Sequence, residues 1–140
     1  MKAVEQHLWH GVSITLGADI NFTGTKPFKA SFNGKEFKFN RRQGWKKLYE
    51  TIVVELYNIN PKSLRELAKW QIEFFISDEP AHWCLPPKKP AETYTGDWWS
   101  EIANGVYVYN KNSTSKKIEN LRKLFDVCGI DYEELEINLY

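Results

Sequence analysis

The sequence is short of the side chains that metal binding and thiol chemistry require. Its 140 residues contain only two cysteines and three histidines. Cys84 and Cys128 lie far apart and form no C-x-x-C pair, so no disulfide framework is indicated and a reducing compartment fits. A structural zinc site commonly takes four ligands in spaced pairs, which these few residues do not supply. The sequence therefore predicts no metal and no cofactor.

Signals for membrane insertion and for phosphate-binding loops are also missing. No segment approaches the roughly 20 apolar residues of a membrane span. The first residues, MKAVEQHLWHGV, have no apolar run of the length that a signal peptide needs. Neither G-x-x-x-x-G-K-[ST] nor G-x-G-x-x-G occurs. We expect a cytoplasmic protein with no membrane contact and no glycine-rich nucleotide loop.

The net charge of +1 gives no overall attraction to nucleic acid, but the charges are unevenly distributed. Residues 1–70 carry twelve Lys and Arg against six Asp and Glu, whereas residues 71–140 carry seven against twelve. The two halves either compensate each other within the fold or allow the chain to self-associate.

The strongest local signal that is present is a β-hairpin over residues 27–39. Asn33-Gly34 suits the positive φ angles of a two-residue type I′ turn. This turn places Lys29 opposite Lys38 on one face of the hairpin. The other face then carries Phe28, Phe32, Phe37 and Phe39. A slip of one residue would expose the phenylalanines, so the register is well specified.

Helical and strand periodicities complete the prediction of the fold. Apolar residues recur at helical spacing over 43–58, 61–71 and 115–128. Asn60-Pro61 and Gly129 are end signals, whereas Glu50 and Glu55 fall outside the apolar stripe of the first helix. Further strands are predicted at 12–16, 72–77, 105–110 and 134–140. We expect an α+β fold, in which the hairpin and an antiparallel or mixed sheet of about five strands pack on about three helices.

The predicted domain organisation has an interruption rich in proline and tryptophan. Residues 1–26 are an N-terminal arm or an added edge strand, and residues 27–140 form a single α+β domain with a long loop at 78–99. Large aromatic side chains in this loop are candidate anchors for a protein partner. They are Trp83, Tyr94, Trp98 and Trp99. In the alternative, Trp98 and Trp99 fold back and cover the sheet.

A second candidate surface is basic and lies on the hairpin and the start of the first helix. It consists of Lys29, Lys38, Arg41, Arg42, Lys46 and Lys47. Binding of a polyanion would offset the repulsion between Lys29 and Lys38 through counterion release. Because the phenylalanines face the core, this surface would contact phosphates and would not read bases. In the alternative, Glu36 compensates Lys29 diagonally and the acidic half of the chain folds over this surface.

Several segments together resemble an uncharacterised small module of bacterial and phage proteins from restriction and defence-type loci. These segments are FNGKEFKFN, Trp45, Leu56-Tyr57, Asn60-Pro61, GVYVYNKNST and LRKLFDVCGIDYEELEI. The resemblance covers residues 27–140 and implies an accessory or recognition domain in a bacterial or phage-infected cell. It carries no catalytic residue onto this chain.

From these features we expect a non-enzymatic recognition protein that binds a protein partner. A phage-encoded inhibitor of a bacterial defence system would suit its size. The alternative is a nucleic-acid or nucleotide-binding protein that acts through the basic hairpin and helix start at 26–47. A third hypothesis, an enzyme that uses His82 and Cys84, has the least support, because nearness in sequence does not place a nucleophile beside its base.

Overall fold

The structure is a computed structural model and describes residues 12–79 and 98–140. Within these residues the chain forms three α-helices and seven strands. The strands are β1 (Ser13–Thr15), β2 (Pro27–Phe32), β3 (Lys35–Lys38), β4 (Ile76–Ser77), β5 (Trp99–Ala103), β6 (Val106–Tyr109) and β7 (Glu136–Leu139). The helices are α1 (Gly44–Ile59), α2 (Pro61–Lys69) and α3 (Thr114–Cys128), and a 3₁₀ turn spans Tyr132–Glu134.

The first hairpin has the register that its turn predicts. Asn33 and Gly34 have φ angles of 54° and 73°, and Lys29 lies opposite Lys38. Phe32 and Phe39 are buried, whereas Phe28 and Phe37 are half-buried at the margin of the core. The local turn chemistry therefore fixes which side chains of this hairpin face inward.

The strands form two antiparallel sheets and not one. The larger sheet has the order β1-β7-β2-β3, and the smaller one has the order β4-β6-β5. The α+β class and the three helices are confirmed, whereas the expectation of a single sheet of about five strands differs from the structure. Periodicity marks a strand but does not state which other strand it pairs with, so the division into two sheets was not visible in the sequence.

Two segments differ locally from the prediction. Residues 99–103 form β5, which turns into β6 through Asn104-Gly105, where Gly105 has a φ of 82°. Residues 72–77 form a tight turn and only a two-residue strand, because Phe74 has a φ of 59° and the Ile72 N–H donates to the Ile76 carbonyl at 2.8 Å. An extended strand is incompatible with that reversal of the chain.

The helix ends follow their capping residues. The Asn60 side chain accepts from the Ser63 N–H at 3.2 Å, with Pro61 as the first residue of α2. The Ser113 hydroxyl accepts from the Lys116 N–H at 3.2 Å and caps α3. Gly129 ends α3 in the left-handed conformation, with a φ of 70°.

Helix α1 is the centre of the core. Its apolar stripe is buried as expected, and the helix contacts β2 of the larger sheet, β5 of the smaller sheet and both other helices. Phe32 of β2 packs on Phe125 of α3, with 5.3 Å between ring centroids. The charged residue Glu55 is also buried in α1, against the prediction that it lies outside the inward-facing stripe. Among the described helices, none has the length and the apolar content to cross a membrane.

Candidate functional site

A concave cleft of about 360 Å³ forms where three separate segments meet. The segments are the loop before β2, the turn that leads into α1, and the first turn of α3. Five cationic side chains line it: Lys26, Arg41, Arg42, Lys46 and Lys117. None of the described residues that line this cleft carries a carboxylate. We call it the basic cleft.

The turn into α1 is held rigidly by two reciprocal hydrogen bonds. The Asn40 N–H donates to Gln43 Oε1 at 2.9 Å, and the Gln43 N–H donates to Asn40 Oδ1 at 2.9 Å. Gly44 follows with a φ of 53°, a conformation that a side chain with a Cβ rarely adopts. Arg41 and Arg42 lie within this turn and are exposed, so their position depends on a well-defined backbone.

Trp45 attaches the loop before β2 to the start of α1. Its indole Nε1–H donates to the Thr25 carbonyl at 2.9 Å, and its ring meets Phe22 edge to face at 5.5 Å. This contact brings Lys26 beside the turn, where its ammonium lies 3.5 Å from the Arg41 carbonyl. The buried tryptophan is thus a structural support for the cleft and presents no ring for stacking on a base.

Arg41 is oriented by an aromatic ring. Its guanidinium lies over Tyr140, 4.5 Å from the ring centroid, a cation–π arrangement. The Tyr140 hydroxyl donates to the Phe39 carbonyl at 3.0 Å, which fixes the ring in turn. A guanidinium held in this way loses less conformational freedom when it binds an anion than a free side chain would.

Lys117 is the buried cation of the cleft. The residue is 7% exposed, its ammonium donates to the Asn112 carbonyl at 2.6 Å, and it forms no salt bridge with a described carboxylate. Burial lowers the pKa of Lys117, and the nearby positive charge of Lys46 lowers it further, while Glu50 opposes the shift. The protein thus holds a cation where its charge is poorly compensated.

The negative charges gather at other places. Glu133, Glu134 and Glu136 line an open groove at the tip of the first hairpin, together with Glu36 and Lys35. The acidic half of the chain therefore reaches the hairpin, as the compensation hypothesis expected, but its carboxylates do not line the basic cleft. Within the described residues, the basic cleft and this acidic groove are therefore separate surfaces.

The six basic residues predicted from the sequence lie at three different places in the structure. Arg41, Arg42 and Lys46 line the basic cleft. Lys47 lines a neighbouring groove. In that groove the Ser100 hydroxyl donates to the Glu50 carboxylate and accepts from the Asn110 side-chain amide at 2.7 Å. Lys29 and Lys38 lie on the outer face of the larger sheet. There Lys29 is 3.7 Å from Glu36, the diagonal compensation that was the alternative.

Of the aromatic residues predicted to bind a protein partner, Trp83 and Tyr94 lie outside the described residues, as do His82 and Cys84. Trp99 is completely buried and meets Tyr109 edge to face at 5.4 Å, and Trp98 packs half-buried against the same cluster. This arrangement corresponds to the alternative in which the two residues cover a sheet.

Of the five cations of the cleft, Lys117 lies outside the basic region predicted from the sequence, whereas Lys26 is the first residue of that region, 26–47. Lys117 is 70 or more positions away from the other cations, and its only signal was the predicted start of α3, because helix starts attract anions.

Cys128 is the cysteine that lies within the described residues. It is half-buried at the end of α3 and packs against the core. Burial raises the pKa of its thiol, so less of the reactive thiolate is present at neutral pH.

Comparison of the chain with protein-family models, with curated proteins and with solved structures gives no match.

Proposed function

We propose that the protein is a non-enzymatic binding protein for phosphate-bearing ligands, either nucleic acid or nucleotide, and that the basic cleft is its binding site. The observation that carries this proposal is the convergence of five cations from three segments on one concave surface, with no carboxylate among the described residues that line it. This is the second of the functions considered from the sequence, and the location of the charges favours it.

Bringing like charges together costs free energy in the unbound protein. A phosphate ligand offsets that cost, because its negative charges lie next to the cations of the cleft. When the ligand is a nucleic acid, binding also releases the counterions that had been condensed on its phosphates. The orientation of Arg41 over Tyr140 further favours binding, since part of the ordering has already taken place in the free protein.

The described residues of the cleft offer cations for phosphates and no exposed aromatic ring for bases. Its aromatic lining residue, Trp45, is buried and its indole N–H is bonded to Thr25. The inward-facing phenylalanines of the first hairpin are turned toward the core. Phosphate contacts position a nucleic acid without reading its sequence, so we expect binding with little sequence preference.

The test is fluorescence anisotropy with a short labelled single-stranded oligonucleotide at low salt. The variant Arg42→Gln/Lys46→Gln removes two exposed cations of the cleft, neither of which holds the fold through a described hydrogen bond. The matched control Lys62→Gln/Lys69→Gln removes two exposed cations of α2. We expect the cleft variant to weaken binding about tenfold and the control to stay near the wild type.

Equal weakening by the two variants would show that only net charge matters and would refute the cleft as the site. If the wild-type protein binds neither this oligonucleotide nor a labelled nucleotide at low salt, the proposed function itself is refuted.

Binding of a protein partner remains a second proposal, and one observation favours it. Trp70, at the C-terminal end of α2, is 78% exposed, and Phe74 in the following turn is 42% exposed. Exposed tryptophans are frequent anchors of protein interfaces.

Capture from a bacterial lysate with the wild type and with Trp70→Ser tests this second proposal. A partner that is recovered with the wild type and lost with the variant supports it, provided that the two proteins have the same melting temperature. A partner that the variant retains would exclude Trp70 as the anchor.

A further inference from the structure

The N-terminal ends of two long helices meet at the basic cleft. Helix α1 has 16 residues and begins with Gly44, Trp45 and Lys46, whereas α3 has 15 residues and contributes Thr114 and Lys117 from its first turn. Backbone N–H groups in the first turn of a helix have no intrahelical acceptor, and the positive end of the helix dipole adds to their attraction for anions. Both helices therefore direct positive potential toward the same space.

The start of α1 lacks the usual internal compensation. No side chain caps it, because the Gln43 side chain accepts from the Asn40 N–H and does not turn toward the helix. Neither α1 nor α3 has an acidic residue in its first turn. The Gly44 N–H donates to the Asn40 carbonyl and the Lys47 N–H donates to the Gln43 carbonyl, each at 3.3 Å. The donors that this helix start leaves to an external anion are therefore the N–H groups of Trp45 and Lys46.

Lys117 is an observation independent of the helix ends. A buried ammonium is normally compensated by a carboxylate or by an anionic ligand. Its ammonium donates to the neutral Asn112 carbonyl at 2.6 Å. The charged groups that face it are Lys46 and Glu50, both from α1, and no described carboxylate forms a salt bridge with it. An anion in the cleft would supply the missing counter-charge.

The shape of the cleft distinguishes between kinds of phosphate. Its volume of about 360 Å³ is in the range of sites for small ligands. A terminal phosphate has three free oxygens and two negative charges near neutral pH, so it can accept hydrogen bonds from all three segments of the cleft at once. A phosphodiester within a strand has two free oxygens and one charge, and its strand must leave the site in two directions.

We propose that the basic cleft binds a terminal phosphate, a phosphomonoester dianion, held by Lys117 together with the exposed cations and the first turns of α1 and α3. This inference rests on the proposed function, because it names the class of phosphate that the same cleft prefers. A nucleotide and the 5′ end of a strand share this chemistry, and the experiment separates them.

The experiment compares two oligonucleotides of one sequence, labelled at the 3′ end, one with a 5′ phosphate and one with a 5′ hydroxyl. We expect the phosphorylated strand to bind about tenfold more tightly, because it adds charge-assisted hydrogen bonds. A nucleoside 5′-monophosphate is then added as a competitor, with the nucleoside as its control. Displacement by the monophosphate identifies the nucleotide as a sufficient ligand, and displacement by neither identifies the strand end; each outcome supports a phosphomonoester site.

Two variants connect this preference to the cleft. Lys117→Met removes the buried cation, and its matched control Lys116→Met removes a neighbouring half-exposed one, which pairs with Glu119 at 3.1 Å. Thr114→Asp places a carboxylate at the start of α3, where it favours the helix and repels an anion, so it stays informative if Lys117→Met fails to fold. We expect Lys117→Met and Thr114→Asp to abolish the preference for the 5′ phosphate and Lys116→Met to keep it.

These measurements distinguish a failure of the terminal-phosphate inference from a failure of the proposed function. If both oligonucleotides bind equally and the cleft variant Arg42→Gln/Lys46→Gln weakens both, the proposed function stands and the terminal-phosphate inference is wrong. If neither oligonucleotide binds at low salt and a labelled nucleoside 5′-monophosphate does not bind either, both are wrong.

Discussion

Replacing Lys35 by methionine tests how the first hairpin is attached to α1. The Lys35 ammonium lies 3.1 Å from Oε1 and 3.4 Å from Oε2 of Glu55. The Glu55 side chain is 7% exposed and the Lys35 side chain is 55% exposed. Methionine keeps most of the aliphatic stem of the lysine and removes the charge, so the variant leaves Glu55 buried without this partner.

The expected loss of stability in Lys35→Met follows from the exposure of the Lys35 and Glu55 side chains. Exposed ion pairs contribute about 0.2–1 kcal/mol to stability, whereas removing one partner of a fully buried pair costs about 3–5 kcal/mol. This pair is buried on the carboxylate side and half-exposed on the ammonium side, so we expect Lys35→Met to lower the free energy of unfolding by about 1.5 kcal/mol. In the Glu55→Gln background the same change should cost less than about 0.5 kcal/mol, because no buried charge remains.

The assay is a double-mutant cycle by urea denaturation, with the wild type, both single variants and the double variant measured at one pH and one salt concentration. A coupling free energy of about 1 kcal/mol would support the reasoning. If Lys35→Met costs the same in both backgrounds, the proximity of the two groups contributes nothing to stability and the argument fails.

Three further predictions concern the end of α3, the basic cleft and the core. Gly129→Ala should lower the free energy of unfolding by about 1 kcal/mol, because no atom crowds the new Cβ and the strain lies in the φ of 70° alone. Gly129→Asn should cost less, since Asn tolerates that conformation, and equal costs in thermal melts would contradict this explanation. In a salt titration of oligonucleotide binding, Arg42→Gln/Lys46→Gln should make the slope of log K against log salt less steep by about 1.4. An unchanged slope would show that neither residue contacts a phosphate. Burial raises the pKa of Tyr49 above its ordinary value of 10.0, so the unfolded chain loses this proton first and stability should fall as the pH rises above about 10. Tyr49→Phe should reduce that fall in alkaline melts, and an unchanged pH dependence would contradict the assignment.

The parts of the fold that the sequence predicted are those fixed by neighbouring residues. Asn33-Gly34 determined the register of the first hairpin, because the turn geometry and the two-residue period leave one arrangement with the phenylalanines inward. Asn60 and Gly129 determined helix ends through hydrogen bonds that span only three or four positions. Such contacts form without reference to the rest of the chain.

One local signal was present and was not used. Asn104-Gly105 joins β5 to β6 and is the same dipeptide as in the first hairpin. The predicted loop ends at residue 99 and no strand is predicted over 100–104, so the sequence prediction lacks β5 and leaves open whether Trp99 is a surface anchor or covers the sheet. In the structure Trp99 is buried between its strand neighbours, since a strand that pairs with β6 turns this ring into the core.

The sequence by itself determined the α+β class, the first hairpin, the helices and their ends, because backbone turns, caps and apolar periods are properties of short segments. Only the tertiary structure decided which charges meet. It buried Glu55 beside Lys35 and gathered Lys26, Arg41 and Lys117 around one cleft, although these residues come from segments far apart in the chain. The physical reason is that a charge interacts through space with whatever the packing of helices and sheets brings near, and no local pattern records that distance.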